Sequence, residues 1–109
     1  MKGKIVLVPF PFTDLTAAKL RPALVIYEGE EDIVLAFISS RVPSAPSGTG
    51  LLLSKQDPGF YKTGLKADSL IKLDKIATVL KDLVVGELGE LDQQRREEIN
   101  GKLTELLRM

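Results

Sequence analysis

Arg21 and Ser39 are the two side chains whose types and spacing could do chemistry together. Arg21 opens the strand-like run 21–28 (RPALVIYE), and Ser39 lies near the end of 32–40 (DIVLAFISS). With Gly29-Glu30-Glu31 as the turn of a hairpin, Glu28 faces Asp32, Tyr27 faces Ile33, Val25 faces Leu35 and Arg21 faces Ser39. Opposed residues share a face, with Cβ atoms about 4.5–5.5 Å apart. A planar fork of donors would then stand beside a hydroxyl, an arrangement that suits the oxygens of one phosphodiester and the negative charge it gathers while reacting. A turn of two or four residues would shift the partner by one position and flip its face. An Arg before Pro at a strand start is also ordinarily a solvated edge residue, and a Ser at a strand end ordinarily belongs to a turn.

A second cluster lies at Asp68, Ser69, Lys72 and Asp74. On one strand Asp68, Leu70, Lys72 and Asp74 share a face. Lys72 could hold a phosphate and Asp74 could accept a proton, although a Lys between carboxylates is most often a surface ion pair of little energetic consequence. Asp68 and Asp74, six residues apart, are a poor match to the donor set of a hard metal ion, and no metal or other cofactor is expected. The segment Phe10-Pro11-Phe12-Thr13-Asp14 could stack bases on its rings, against the plainer reading of Phe buried in a sheet wall.

Composition restricts the options further. The 109 residues include no His and no Cys, which removes imidazole acid–base pairs, thiolate nucleophiles, disulfides and His- or Cys-ligated zinc. Fifteen basic and fifteen acidic residues cancel. The halves are balanced too, with six basic and five acidic groups in 1–55 and nine and ten in 56–109. Any polyanion site must therefore be local. At 44% apolar and 28% charged the chain reads as an ordinary globular domain. No stretch has the form of a signal peptide or a bilayer span, so a cytoplasmic protein without membrane contact is expected.

The elements that must hold these residues are mostly strands: 4–9, 21–28, 32–40, 51–55, 68–73 and 76–80, with loops at 12–20 and 41–50. The core side of the hairpin is Leu24, Ile26, Val34, Ala36 and Ile38. Gly86 and Gly89 break the pattern. One helix follows, with Asp92 as N-cap and Ile99, Leu103, Leu106 and Leu107 as an apolar stripe, read as core. Gly101 sits inside it at a cost of about 1 kcal/mol relative to Ala. Strands first and helix last predict a small antiparallel barrel or sandwich closed by a helix, not βαβ units.

Taken in order, KGKIVLVPFPFTDL, KLRPALVI, FISSR, GLKADSLIKLDKIATV and GELGEL before a C-terminal helix resemble the MazF/PemK (Kid-like) group of toxin endoribonucleases, most nearly its PemK-like branch. The resemblance covers nearly the whole chain. It implies one domain over 1–109, mainly β with a C-terminal α-helix. This would be an SH3-like antiparallel barrel of the CcdB/MazF/Kid type, with strands over about 3–83 and the helix over about 92–108, forming a homodimer. It implies a toxin of a type II toxin–antitoxin system that cleaves single-stranded RNA (mRNA) at short sequences without metal, by 2′-hydroxyl attack to a 2′,3′-cyclic phosphate. A cognate antitoxin is the implied protein partner.

Residue by residue, the family's catalytic Arg before Pro falls on Arg21 and its strand-end Thr or Ser on Ser39. Lys72 and Asp74 stand where Kid-like members carry an Arg and an Asp as acid and base. Lys72 lacks the bidentate fork of that Arg, and the assisting His of Kid is missing. Sequence choice would lie with Phe12, Thr13, Asp14, Lys19, Ser40 and Arg41 and their loops. The alternatives on the same fold are a CcdB-like gyrase inhibitor, whose Trp-Gly-Ile end this chain lacks, and a non-catalytic module that binds protein or RNA.

Overall fold

The structure is a computed structural model, and it describes residues 1–10, 19–45 and 48–109. β-branched and aromatic runs form strands β1 (Lys4–Phe10), β2 (Lys19–Glu28), β3 (Asp32–Ser39), β4 (Gly50–Leu53), β5 (Ser69–Leu80) and β6 (Gly86–Glu90), followed by helix α1 (Gln93–Leu107). All six strands lie in one antiparallel sheet, ordered β4-β5-β3-β2-β1-β6. The mainly β expectation with a C-terminal helix is met, and the barrel takes the form of a curled sheet with β4 and β6 at its edges.

The curl has local causes. Between β3 and β5 the register runs Ala36↔Ile76 and then Phe37↔Lys72, which leaves 73–75 unpaired with β3. Extra residues on one side of a ladder bend the strand and increase its twist. The two strands expected at 68–73 and 76–80 are thus one strand, bent at this bulge. A second bulge lies between Val25 and Tyr27.

Both faces of the sheet are apolar. On one face Ile5, Leu24, Ala36, Ile38, Leu51, Leu53, Ile71 and Leu73 pack with Leu91 and with Ile99 of the helix. On the other face Val6, Val8, Ala23, Val25, Ile33, Leu35 and Val79 form a second cluster, against which Leu83 and Val84 pack. The sequence reading placed one core face on the hairpin. Strands buried on two sides carry apolar residues continuously and do not reveal which face is which.

Asp92 caps the helix as expected, its Oδ1 accepting from the Arg95 N–H at 2.9 Å, the usual service of an N-cap carboxylate. The expected core stripe ends early, because Ile99 is buried and Leu103 half-buried, whereas Leu106 and Leu107 are exposed. The missed strand β6 is explained by Gly89: a Cβ there would stand 2.1 Å from the Lys62 carbonyl oxygen. The glycine lets the 3₁₀ turn Phe60–Thr63 pack directly on β6, a close approach that only Gly permits. No helix among the described residues is long and apolar enough to cross a membrane.

Candidate active site

The Arg21–Ser39 pairing depends on the open end of the hairpin. Its turn is one residue longer than expected, with the Gly29 N–H bonded to the Asp32 carbonyl at 2.8 Å, and the bulge around Ile26 shifts the near pairs to Tyr27↔Val34 and Glu28↔Ile33. These two deviations cancel. Beyond the bulge the register is Val25↔Leu35, Leu24↔Ala36 and Ala23↔Phe37. The ladder ends there, and Arg21 and Ser39 lie two residues beyond its last pair on the two strands.

Arg21 and Ser39 line one open groove of about 800 Å³, together with Phe10, Phe37, Ser40, Arg41, Lys66, Ser69, Lys72 and Lys75. Arg21 is exposed and Ser39 half-buried, so both reach solvent from a rigid sheet. Phe10 and Phe37 meet edge to face at the groove, with ring centroids 5.4 Å apart, a favoured aromatic geometry.

The two serines of the groove differ in what they can donate. The Ser69 hydroxyl donates to the Ala67 carbonyl at 2.8 Å. The Ser39 oxygen instead accepts from the Arg41 N–H at 3.1 Å, which leaves its own O–H aimed elsewhere and able to donate to a bound anion.

Charge separates this groove from the rest of the molecule. Among the described residues five cations line it (Arg21, Arg41, Lys66, Lys72 and Lys75) and no carboxylate does. Among the described residues none of the five makes an ion pair. A chain of zero net charge thus concentrates unneutralised positive charge in one concavity, where it focuses a field on an anion.

The other expected site residues fall elsewhere. Asp74 lies in the β5 bulge, exposed, and lines a neighbouring cleft but not the groove of Arg21 and Ser39. Asp68 accepts from the Lys55 N–H at 2.8 Å and braces a turn. Lys19 is exposed at the start of β2, paired with Phe10 on β1, and is not part of the groove lining. Phe12, Thr13 and Asp14 lie outside the described residues. The sequence reading missed Phe37, Lys66 and Lys75. Period-2 alternation from Ser39 was enough to find Phe37 on the same face, whereas the bulge hid Lys75 by breaking that alternation.

A curled antiparallel sheet with a C-terminal helix is the architecture of known toxin structures. A toxin from Mycobacterium tuberculosis, MazF-mt6, superposes with a TM-score of 0.72 at 15% identity, over 94% of this chain and 93% of that one. A mycobacterial endoribonuclease in complex with its cognate antitoxin superposes with a TM-score of 0.71 at 20% identity, over 98% and 93%. No curated protein matches by sequence. The family model of the PemK-like, MazF-like toxins of type II toxin–antitoxin systems matches residues 1–107, and the chain belongs to that family.

Proposed function

We propose that this toxin is an endoribonuclease that cleaves single-stranded RNA by transphosphorylation in the Arg21–Ser39 groove. The observation that carries the reading is a groove that, among the described residues, is lined by five cations without ion pairs, the Ser39 hydroxyl and no carboxylate. Fixed positive charge and donors of this kind stabilise an anion without reorganising during the reaction. The solved neighbour described as an endoribonuclease adds support at the level of the fold.

In this mechanism Arg21 straddles two oxygens of the scissile phosphate. Lys72 adds a point charge, and the Ser39 O–H donates to a non-bridging oxygen. The RNA 2′-oxygen bonds to phosphorus, the P–O5′ bond breaks, and the proton lost at the 2′-oxygen is matched by the one gained at the 5′-oxygen. Products are a 2′,3′-cyclic phosphate and a 5′-hydroxyl. Arg21 acts by charge, because a guanidinium does not give up its proton in a protein. With no carboxylate lining the groove among the described residues, a divalent ion has no anionic ligand there, and Arg and Lys neutralise the phosphate instead. Lining the groove, Phe10 and Phe37 offer faces on which an unpaired base stacks, while Ser40 and Arg41 contact the strand beside it.

The same groove would seat an acidic antitoxin segment, which then competes with RNA, and the toxin works as a homodimer. The test is direct. Purified protein incubated with single-stranded RNA in EDTA yields fragments ending in 2′,3′-cyclic phosphate. Intact RNA under these conditions, or cleavage only on adding Mg²⁺, overturns the reading.

A further inference from the structure

Beside the main groove lies a second cleft of about 570 Å³. The two share Arg41, Lys72 and Lys75 along their common border. A nucleotide strand whose phosphate rests on those cations in the groove continues naturally into the cleft. The cleft itself differs in chemistry. Val42, Pro43, Ala45 and Leu70 give it apolar walls, and among the described residues Asp74 is its one carboxylate. The β5 bulge turns Asp74 out of the ladder, and among the described residues its carboxylate has neither a hydrogen bond nor an ion pair, although Lys72 and Lys75 line the same cleft.

We infer that this cleft receives the base next to the scissile linkage and that Asp74 determines which base is accepted, a role that rests on the RNA-cleaving reading above. Apolar walls suit the faces of a base, and unpaired bases are read on their Watson–Crick edges. A carboxylate only accepts hydrogen bonds. It therefore selects a base that offers donors. Guanine suits it best, because its N1–H and N2 amino group present two parallel donors to two oxygens. Cytosine and adenine offer one amino group. Uracil offers a single N–H between two carbonyls that repel the carboxylate. Asp74 is thereby a specificity residue and not the base that deprotonates the 2′-hydroxyl.

The test begins by mapping the cleavage ends made by the wild type on a random RNA pool. Matched oligonucleotides then carry guanine, inosine or uracil at the position flanking the cut, and kcat/KM is measured for wild type and Asp74→Asn across a pH series. The exposed site makes this isosteric change tolerable, checked by an unchanged Tm. The expected result is a preference for guanine over uracil of roughly tenfold or more, with inosine between them. In Asp74→Asn that ratio collapses towards one, and the shape of the pH–rate profile is retained. A guanine-to-uracil ratio unchanged by the substitution overturns the assignment. So does an equal loss on all three substrates with one limb of the pH profile gone, which marks Asp74 as a general base. If the wild type cuts no RNA, the parent reading fails and takes this one with it; cutting with an unmoved base preference removes only the inference.

Discussion

The groove and the opposite end of the molecule treat charge in contrary ways. Around the groove five cations stand without ion pairs among the described residues. At the helix and N-terminal end many charges are matched. The Met1 ammonium and Lys81 Nζ reach the Glu28 carboxylate at 2.6 and 2.9 Å. Arg96 holds Glu90 at 2.9 Å and the Leu91 carbonyl. Arg95 binds Asp57 at 3.1 Å and pairs with Glu98. Burial opposes the Arg95 charge, but its bond to Glu98 and the nearby charges of Glu98, Asp57 and Asp92 outweigh that and hold its pKa above the ordinary value. Unmatched charge awaits a ligand, whereas matched charge ties segments together. Substitutions should therefore divide cleanly: groove residues alter activity and spare stability, and residues at the paired end do the reverse.

The sharpest way to break this contrast is Arg21→Ala. RNA cleavage should fall about 10²–10³-fold, the usual loss for one charge-stabilising donor, with Tm unchanged. A large drop in Tm would place Arg21 among the structural charges. Next in size is the double variant Lys66→Ala with Lys75→Ala. RNA binding should weaken across all sequences, and the slope of log affinity against log salt should become shallower by about 1.4, two phosphate contacts on a single strand. An unaltered slope would remove both lysines from the RNA path.

At the paired end, the bond from the Met1 ammonium, and after it Lys81, lowers the Glu28 pKa to about 2 from 4.5. A carboxylate held below its unfolded value stabilises the fold above that value and loses the effect as pH falls through the folded one. The stability of the wild type over Glu28→Gln should thus be complete near neutral pH, shrink between about 4.5 and about 2, and fade with added salt. Denaturation at several pH values checks it, and a gap independent of pH would show that the pair does nothing. The smallest effect is Gly101→Ala. A Cβ there meets no atom within 4 Å, so the helix should gain about 1 kcal/mol, read as a higher Tm with cleavage unaltered.

Legibility in the sequence followed the same divide. The hairpin and the helix cap at Asp92 could be read because they depend on local periodicity and turn residues, whereas the register that brings Arg21 and Ser39 to one groove rests on a longer turn offset by a bulge that the periodicity does not show. Asp74 and Lys75 could not be placed, since a bulge of three residues is set by how β5 must bend between β3 and β4. Nor could the second core, because Val25 and Leu24 are equally apolar and only the packed structure says that each faces a different cluster. Strand β6 was missed because its glycines serve a contact with a distant turn. The resemblance carried the family, and the family model agrees; the cations at 66 and 75 needed three dimensions.

Apolar packing on both sides of β2 has one more consequence. In a sheet with one wet face, a slip of one residue drives oily side chains into water and is rejected. Here such a slip would exchange one dry face for the other. What pins the alignment is the four-residue turn Gly29–Asp32 and its compensating bulge. An insertion at that turn, more than 20 Å of chain from the groove by strand rise, would leave a folded protein whose arginine and serine no longer line one groove.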